Sequence, residues 1–120
     1  MYEVSQRFFF EAAHTLGREI ESEASRRIHG HTYDAEVAIQ GEPNSMTGMV
    51  IDLGQLRQEL TQLRERLDHT LLNEVEGLGV PTLENLCAYI ARSLRARGYQ
   101  VSRVVVWRER TGDRCEFRPA

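Results

Sequence analysis

The chain reads as an α+β domain, with elements in the order strand, strand, helix, helix, strand, strand. Three observations predict this. Residues 31 to 40 alternate cleanly, with Tyr33, Ala35, Val37 and Ile39 on one parity and Asp34, Glu36 and Gln40 on the other. Two later segments carry apolar stripes at helical spacing. A strand-like run near the C-terminus is followed by turn residues and a second short run. The order predicts a four-stranded antiparallel sheet with both helices on one face. A chain of 120 residues suits a single domain, 1–120.

The elements follow in turn. In residues 2 to 12, Tyr2, Val4, Phe8, Phe10 and Ala12 share one parity, which is strand periodicity interrupted only by Gln6. A charged loop, 17 to 27, leads to the second strand. The segment 42 to 48, Glu-Pro-Asn-Ser-Met-Thr-Gly, is turn-rich. Asp52 can cap a helix, with Gln55 placed to complete a capping box. Leu53, Leu56, Leu60, Leu63 and Leu67 form that helix's apolar stripe. After a loop from about 73 to 81, Thr82 is the next N-cap candidate. Leu83, Leu86, Cys87, Ile90, Ala91 and Leu94 form the second stripe, and Gly98 is placed to stop the helix. Residues 101 to 109 read as the third strand. Thr111-Gly-Asp113 is a hairpin turn into a fourth strand around 114 to 117. Such a sheet has two edges that need pairing or cover, which predicts an oligomer.

Composition narrows the function. A net charge of −3 gives no general basic footprint for nucleic acid. No apolar stretch approaches membrane-spanning length and the N-terminus lacks a signal-peptide pattern, so a cytoplasmic location is the default expectation. Cys87 and Cys115 have no metal-like spacing, and a disulfide framework is not expected. All fifteen basic residues are arginine, which removes Schiff-base lysine chemistry and supplies forks suited to phosphate or carboxylate.

The chemistry concentrates in histidines. His29 and His31 flank Gly30 and share the parity of Tyr33 and Ala35, so both project from the inward face at the strand's end. His14 continues the parity of Phe8, Phe10 and Ala12. If the two strands are neighbours, the three imidazoles converge, and three histidines with an open fourth position make a catalytic-type zinc site. Spacing alone leaves both a metal site and packed histidines open. The fourth histidine, His69, follows Asp68 at the end of a helical stripe. Adjacent helical residues do not face each other, so a proton relay here needs the helix to end; the simpler reading is a solvated helix end with His69 at the negative pole.

These pieces together resemble one family. Phe-Glu-Ala-Ala-His at 10 to 14, His-Gly-His at 29 to 31, Thr-Gly-Met-Val-Ile-Asp at 47 to 52, Leu-Asp-His at 67 to 69 with Leu72 and Asn73, Pro-Thr-Leu-Glu-Asn at 81 to 85 and Glu109 occur in order over nearly the whole chain. This is the pattern of the 6-pyruvoyl-tetrahydropterin synthase and 6-carboxytetrahydropterin synthase family. The resemblance implies the tunnelling fold, in which sheets from several chains form a barrel, and a homohexamer built as a dimer of trimers with sites between subunits. It implies zinc on His14, His29 and His31, a catalytic Asp68–His69 pair, and a pterin anchored by Glu109. Thr82 and Glu84 match a stretch near the pterin, although capping and first-turn charge account for them equally well. The implied substrate is 7,8-dihydroneopterin triphosphate. The implied products are 6-carboxy-5,6,7,8-tetrahydropterin, acetaldehyde and triphosphate, a step toward deazapurines including queuosine. Arg26 and Arg27 are candidates for the triphosphate.

One position departs from the pattern. The family usually carries a cysteine base four residues before the first histidine of His-Gly-His, and here that position is Ser25. A hydroxyl is a far poorer base than a thiolate. Ser25 could still serve if activated, or Glu19, Glu21 or Glu23 could take the proton. The alternatives to the lead reaction are 6-pyruvoyl-tetrahydropterin synthesis, dihydroneopterin aldolase-like cleavage, or a non-catalytic zinc-containing oligomer that binds a pterin.

Overall fold

The computed structural model describes residues 1–120, and its sheet has the order β1-β2-β3-β4, antiparallel throughout. β1 spans Tyr2–His14 and β2 spans His29–Gly41. Both run further toward the histidines than alternation alone predicts, because the two strands pair along their full length, ending with His14 opposite His29. α2, Leu53–Leu67, and α3, Leu83–Arg95, cover the inward face. β3, Val101–Arg108, and β4, Asp113–Phe117, complete the sheet, joined by a turn in which Gly112 takes φ +79°. The four strands and the two helices covering one face match the expected α+β architecture. No helix is long and apolar enough to cross a membrane.

The core lies between sheet and helices. Phe10, Ala12, Tyr33, Ala35 and Val37 from the first two strands meet Leu56, Leu60, Leu63 and Leu67 of α2 and Leu86, Ile90 and Leu94 of α3. Each fully buried large aliphatic contributes about 1.5–3 kcal/mol relative to exposure, so the two stripes hold the layers together. Leu53 is the exception: it remains 39% exposed, because the helix only begins there. Gln6, the polar break in the β1 pattern, donates to the Leu53 carbonyl at 2.7 Å and so joins the strand to the start of α2. The cap of α2 also differs from the expected box: Asp52 accepts from the Gly54 N–H at 2.8 Å. Thr82 caps α3 as expected, accepting from Asn85 N–H at 3.1 Å. Cys87 is buried and Cys115 half-buried, and neither forms a disulfide.

Two features were not visible in local patterns. The charged loop folds over a five-residue helix, α1, Ser22–Arg26. After α2 the chain docks on the free edge of β1, where His69 N–H donates to Glu11 O at 2.6 Å and Ala13 N–H to Thr70 O at 2.9 Å. This covers the last turn of one exposed edge, the part nearest the histidines.

Candidate functional site

The antiparallel register brings the three histidines together. His14 faces His29 across the ribbon, and His31, opposite Ala12, follows on the same face. Their ligand nitrogens all lie within 4.8 Å of one another. Hydrogen bonds fix the tautomers of two rings. His14 Nδ1 lies 3.0 Å from the Pro81 carbonyl and His29 Nδ1 lies 2.7 Å from the Arg27 carbonyl. A carbonyl can only accept, so each Nδ1 carries the proton and each Nε2 a lone pair. Those two Nε2 atoms are 2.9 Å apart. Two lone pairs facing at that distance repel unless a cation or a shared proton sits between them. Carbonyls holding the outer nitrogens are the usual second layer of a histidine metal site. The residues therefore fit a metal held by His14, His29 and His31 with an open position.

Two of the imidazoles, His14 and His31, are shifted toward the neutral form. Burial lowers the pKa of His14, and burial together with the Arg108 guanidinium lowers that of His31 to about 4. Unfolding returns both toward 6.5. Their contribution to stability is thus full above pH 6.5 and lost as pH falls from there toward 4. In excess chelator, the urea midpoint should fall between pH 7 and pH 5, and His31→Gln should flatten that fall. Carboxylates such as Asp68, held low by the Glu11 N–H and by His69, act only at lower pH. An unchanged wild-type midpoint over this window would show that the histidines are not desolvated.

A cavity of about 590 Å³ opens beside the triad, walled by His29, His31, Ser25, Arg27, Glu21 and Arg108 among others. The Ser25 hydroxyl is committed to the backbone: it donates to Ser22 O at 2.9 Å and accepts from Arg18 N–H at 3.2 Å. Of the three loop glutamates, Glu21 walls the cavity; Glu23 instead pairs with Arg27 at 2.7 Å, and Glu19 is exposed outside the wall. Arg26 is exposed as well. A second cavity, about 850 Å³, adjoins His14 and is lined by Thr82 and Glu84, with Arg18 and Arg108 shared between the two.

Asp68 and His69 do form a pair. α2 ends at Leu67, and His69 turns to φ +58°, which lets its Nδ1–H donate to Asp68 Oδ2 at 2.9 Å. Asp68 is anchored in turn by Glu11 N–H at 2.8 Å. The His69 side chain is 78% exposed and faces a shallow hollow shared with Gly30, His31 and Thr32. Glu109 lies one residue beyond β3, exposed, and belongs to neither large cavity. One chain therefore gathers the triad, Ser25, Arg27, Thr82 and Glu84 around the two large cavities, and leaves the Asp68–His69 pair and Glu109 outside both. Arg108 escaped the sequence reading, although its position in line with inward-facing Val104 and Val106 was a usable signal.

The family model described as 6-pyruvoyl tetrahydropterin synthase matches residues 3–120. The chain belongs to this family. It is 36% identical over 103 residues to 6-carboxy-5,6,7,8-tetrahydropterin synthase of Synechocystis, covering 82% of this chain and 78% of that one. It is 33% identical over 86 residues to dihydroneopterin monophosphate aldolase of Pyrococcus furiosus, covering 72% and 68%. Among solved structures, 6-pyruvoyl tetrahydropterin synthase of Caenorhabditis elegans superposes with a TM-score of 0.82 at 24% identity, over 99% of this chain and 96% of that one. That likeness establishes the shared fold.

Proposed function

We propose that this family member is a zinc-dependent lyase that converts 7,8-dihydroneopterin triphosphate and one water to 6-carboxy-5,6,7,8-tetrahydropterin, acetaldehyde and triphosphate. The observation that carries the reading is the pair of Nε2 lone pairs at 2.9 Å, with His31 beside them, at the wall of an arginine-lined cavity. Zinc bound there supplies Lewis-acid polarisation of substrate oxygens, which lowers the cost of removing a neighbouring carbon-bound proton.

The chain's own groups take the other roles. Glu109 accepts hydrogen bonds from the amino-pyrimidine edge of the pterin, a charge-assisted pair suited to a carboxylate. Asp68 fixes the His69 ring so that Nε2 is free to exchange a proton with the substrate side chain. Thr82 and Glu84 line the pterin end, and Arg27 steers the phosphates. Glu21 removes the carbon-bound proton, since the Ser25 hydroxyl is already bonded to backbone.

Because the Asp68–His69 pair and Glu109 lie outside both large cavities, the complete site takes them from a neighbouring copy. The free edges of β1 and β4 are where copies would join into a barrel, and two stacked trimers form the proposed hexamer. Use in queuosine or related deazapurine synthesis, and a cytoplasmic setting, belong to the same reading.

The committed state of the Ser25 hydroxyl favours a second reading, aldol cleavage of a dihydroneopterin side chain, which needs no cysteine base. Product analysis separates the two. Zinc-loaded protein incubated with dihydroneopterin triphosphate should yield carboxytetrahydropterin and acetaldehyde by mass spectrometry and an aldehyde assay. Glycolaldehyde would identify the aldolase, triphosphate release alone the 6-pyruvoyl reaction. Saturable pterin binding with no turnover would leave only a binding role.

A further inference from the structure

We propose that Arg108, assisted by Arg18, is an oxyanion receptor beside the histidine triad, built to take a phosphate group. Arg108 ends β3 on the inward face and is 7% exposed. A buried guanidinium is costly unless its donors are paired. Here they are only partly paired. One nitrogen donates to Asp113 Oδ2 at 2.6 Å, while Nε is buried with no partner at all. Asp113 is about half exposed, so that bridge alone offsets little of the burial. Arg108 lines both cavities, and so does Arg18.

The third nitrogen of Arg108 completes the case. Its NH1 lies 3.4 Å from Nε2 of His31, one of the three histidines of the triad. With a cation on the triad, two positive charges would stand side by side. An oxyanion between them relieves that repulsion and satisfies the free donors. The first cavity supports the sign: three guanidiniums, Arg18, Arg27 and Arg108, face the two carboxylates of Glu21 and Asp113. Arg27 already holds Glu23 at 2.7 Å, which leaves Arg18 and Arg108 as the arginines of this wall with donors to spare.

The choice of a phosphorylated pterin as ligand rests on the proposed function, whereas the receptor does not. Calorimetry on zinc-loaded protein with three ligands separates them: tripolyphosphate alone, 7,8-dihydroneopterin, and its triphosphate. The native chain should bind the triphosphate at least about 10-fold tighter than dihydroneopterin, and bind tripolyphosphate alone measurably. Arg108→Gln should shrink that preference about 10- to 100-fold, with zinc content and dihydroneopterin affinity unchanged. Arg18→Ala, an exposed change with little folding risk, should weaken tripolyphosphate several-fold. Failure of dihydroneopterin to bind would count against the pterin reading alone. A native chain indifferent to tripolyphosphate, or variants that keep the full phosphate preference, would overturn the receptor.

Discussion

His29→Ala is expected to empty the metal site and lower kcat/KM by at least about 10³, the scale of several kcal/mol of lost Lewis-acid assistance. His29 is the right histidine to remove because it is half-buried, whereas His14 is 1% exposed and its loss would open a cavity under Pro81. Loss of a second-layer partner already costs about 10- to 100-fold in metal affinity, so removing a ligand should cost more. The native chain should hold about one zinc by elemental analysis. The variant should hold far less after dialysis against a weak chelator, while its circular dichroism stays that of the native fold. A variant that kept stoichiometric zinc would remove His29 from the ligand set. Zinc should also raise the unfolding midpoint of the native chain in proportion to its binding, and leave the variant unmoved.

How much of this was readable in advance can be traced residue by residue. That His14, and His29 with His31, each keep the parity of their own strand's apolar residues was visible because a strand's period of two leaves no freedom in which face a residue takes. The pairing of His14 with His29 was not, since register depends on how the whole ribbon zips, and only the structure supplies it. The helices were legible from their leucines, although Leu53 was assigned one position too early to be buried. α1 carried no periodic signal: five residues with Ala24 as the one apolar side chain cannot make a stripe, and backbone contacts such as Leu16 N–H to Ser25 O at 2.7 Å hold it in place. Arg108 was hidden among fifteen arginines, and only its parity sets it apart. Glu109, of opposite parity, could never have been grouped with the histidines by periodicity. Its link to them came from family likeness, and the proposed assembly would realise it through a second chain.

Glu21→Gln is expected to lower kcat by about 10²–10⁴, the usual worth of a positioned general base, with zinc and pterin affinity retained. Ser25→Ala should change kcat by less than about 10-fold. The argument is geometric. Ser25 stands where the family usually has its base, yet its only proton is donated to the Ser22 carbonyl, which cannot take it to make an alkoxide, and Arg18 N–H already occupies one of its lone pairs. Its loss should appear instead as about 1–2 kcal/mol of stability, because Arg18 N–H and Ser22 O lose a partner. Glu21 walls the cavity and takes φ +58°, a left-handed conformation that a residue with a β-carbon adopts at some cost. His69 is the only other non-glycine residue with positive φ. Such conformations gather at functional positions, where the rest of the fold enforces them. Glu23, tied to Arg27, serves as the control: Glu23→Gln should leave kcat nearly unchanged. If Ser25→Ala abolished turnover while Glu21→Gln preserved it, the hydroxyl would be the base after all. Its hydrogen bonds to Arg18 and Ser22 would then have to rearrange when substrate binds.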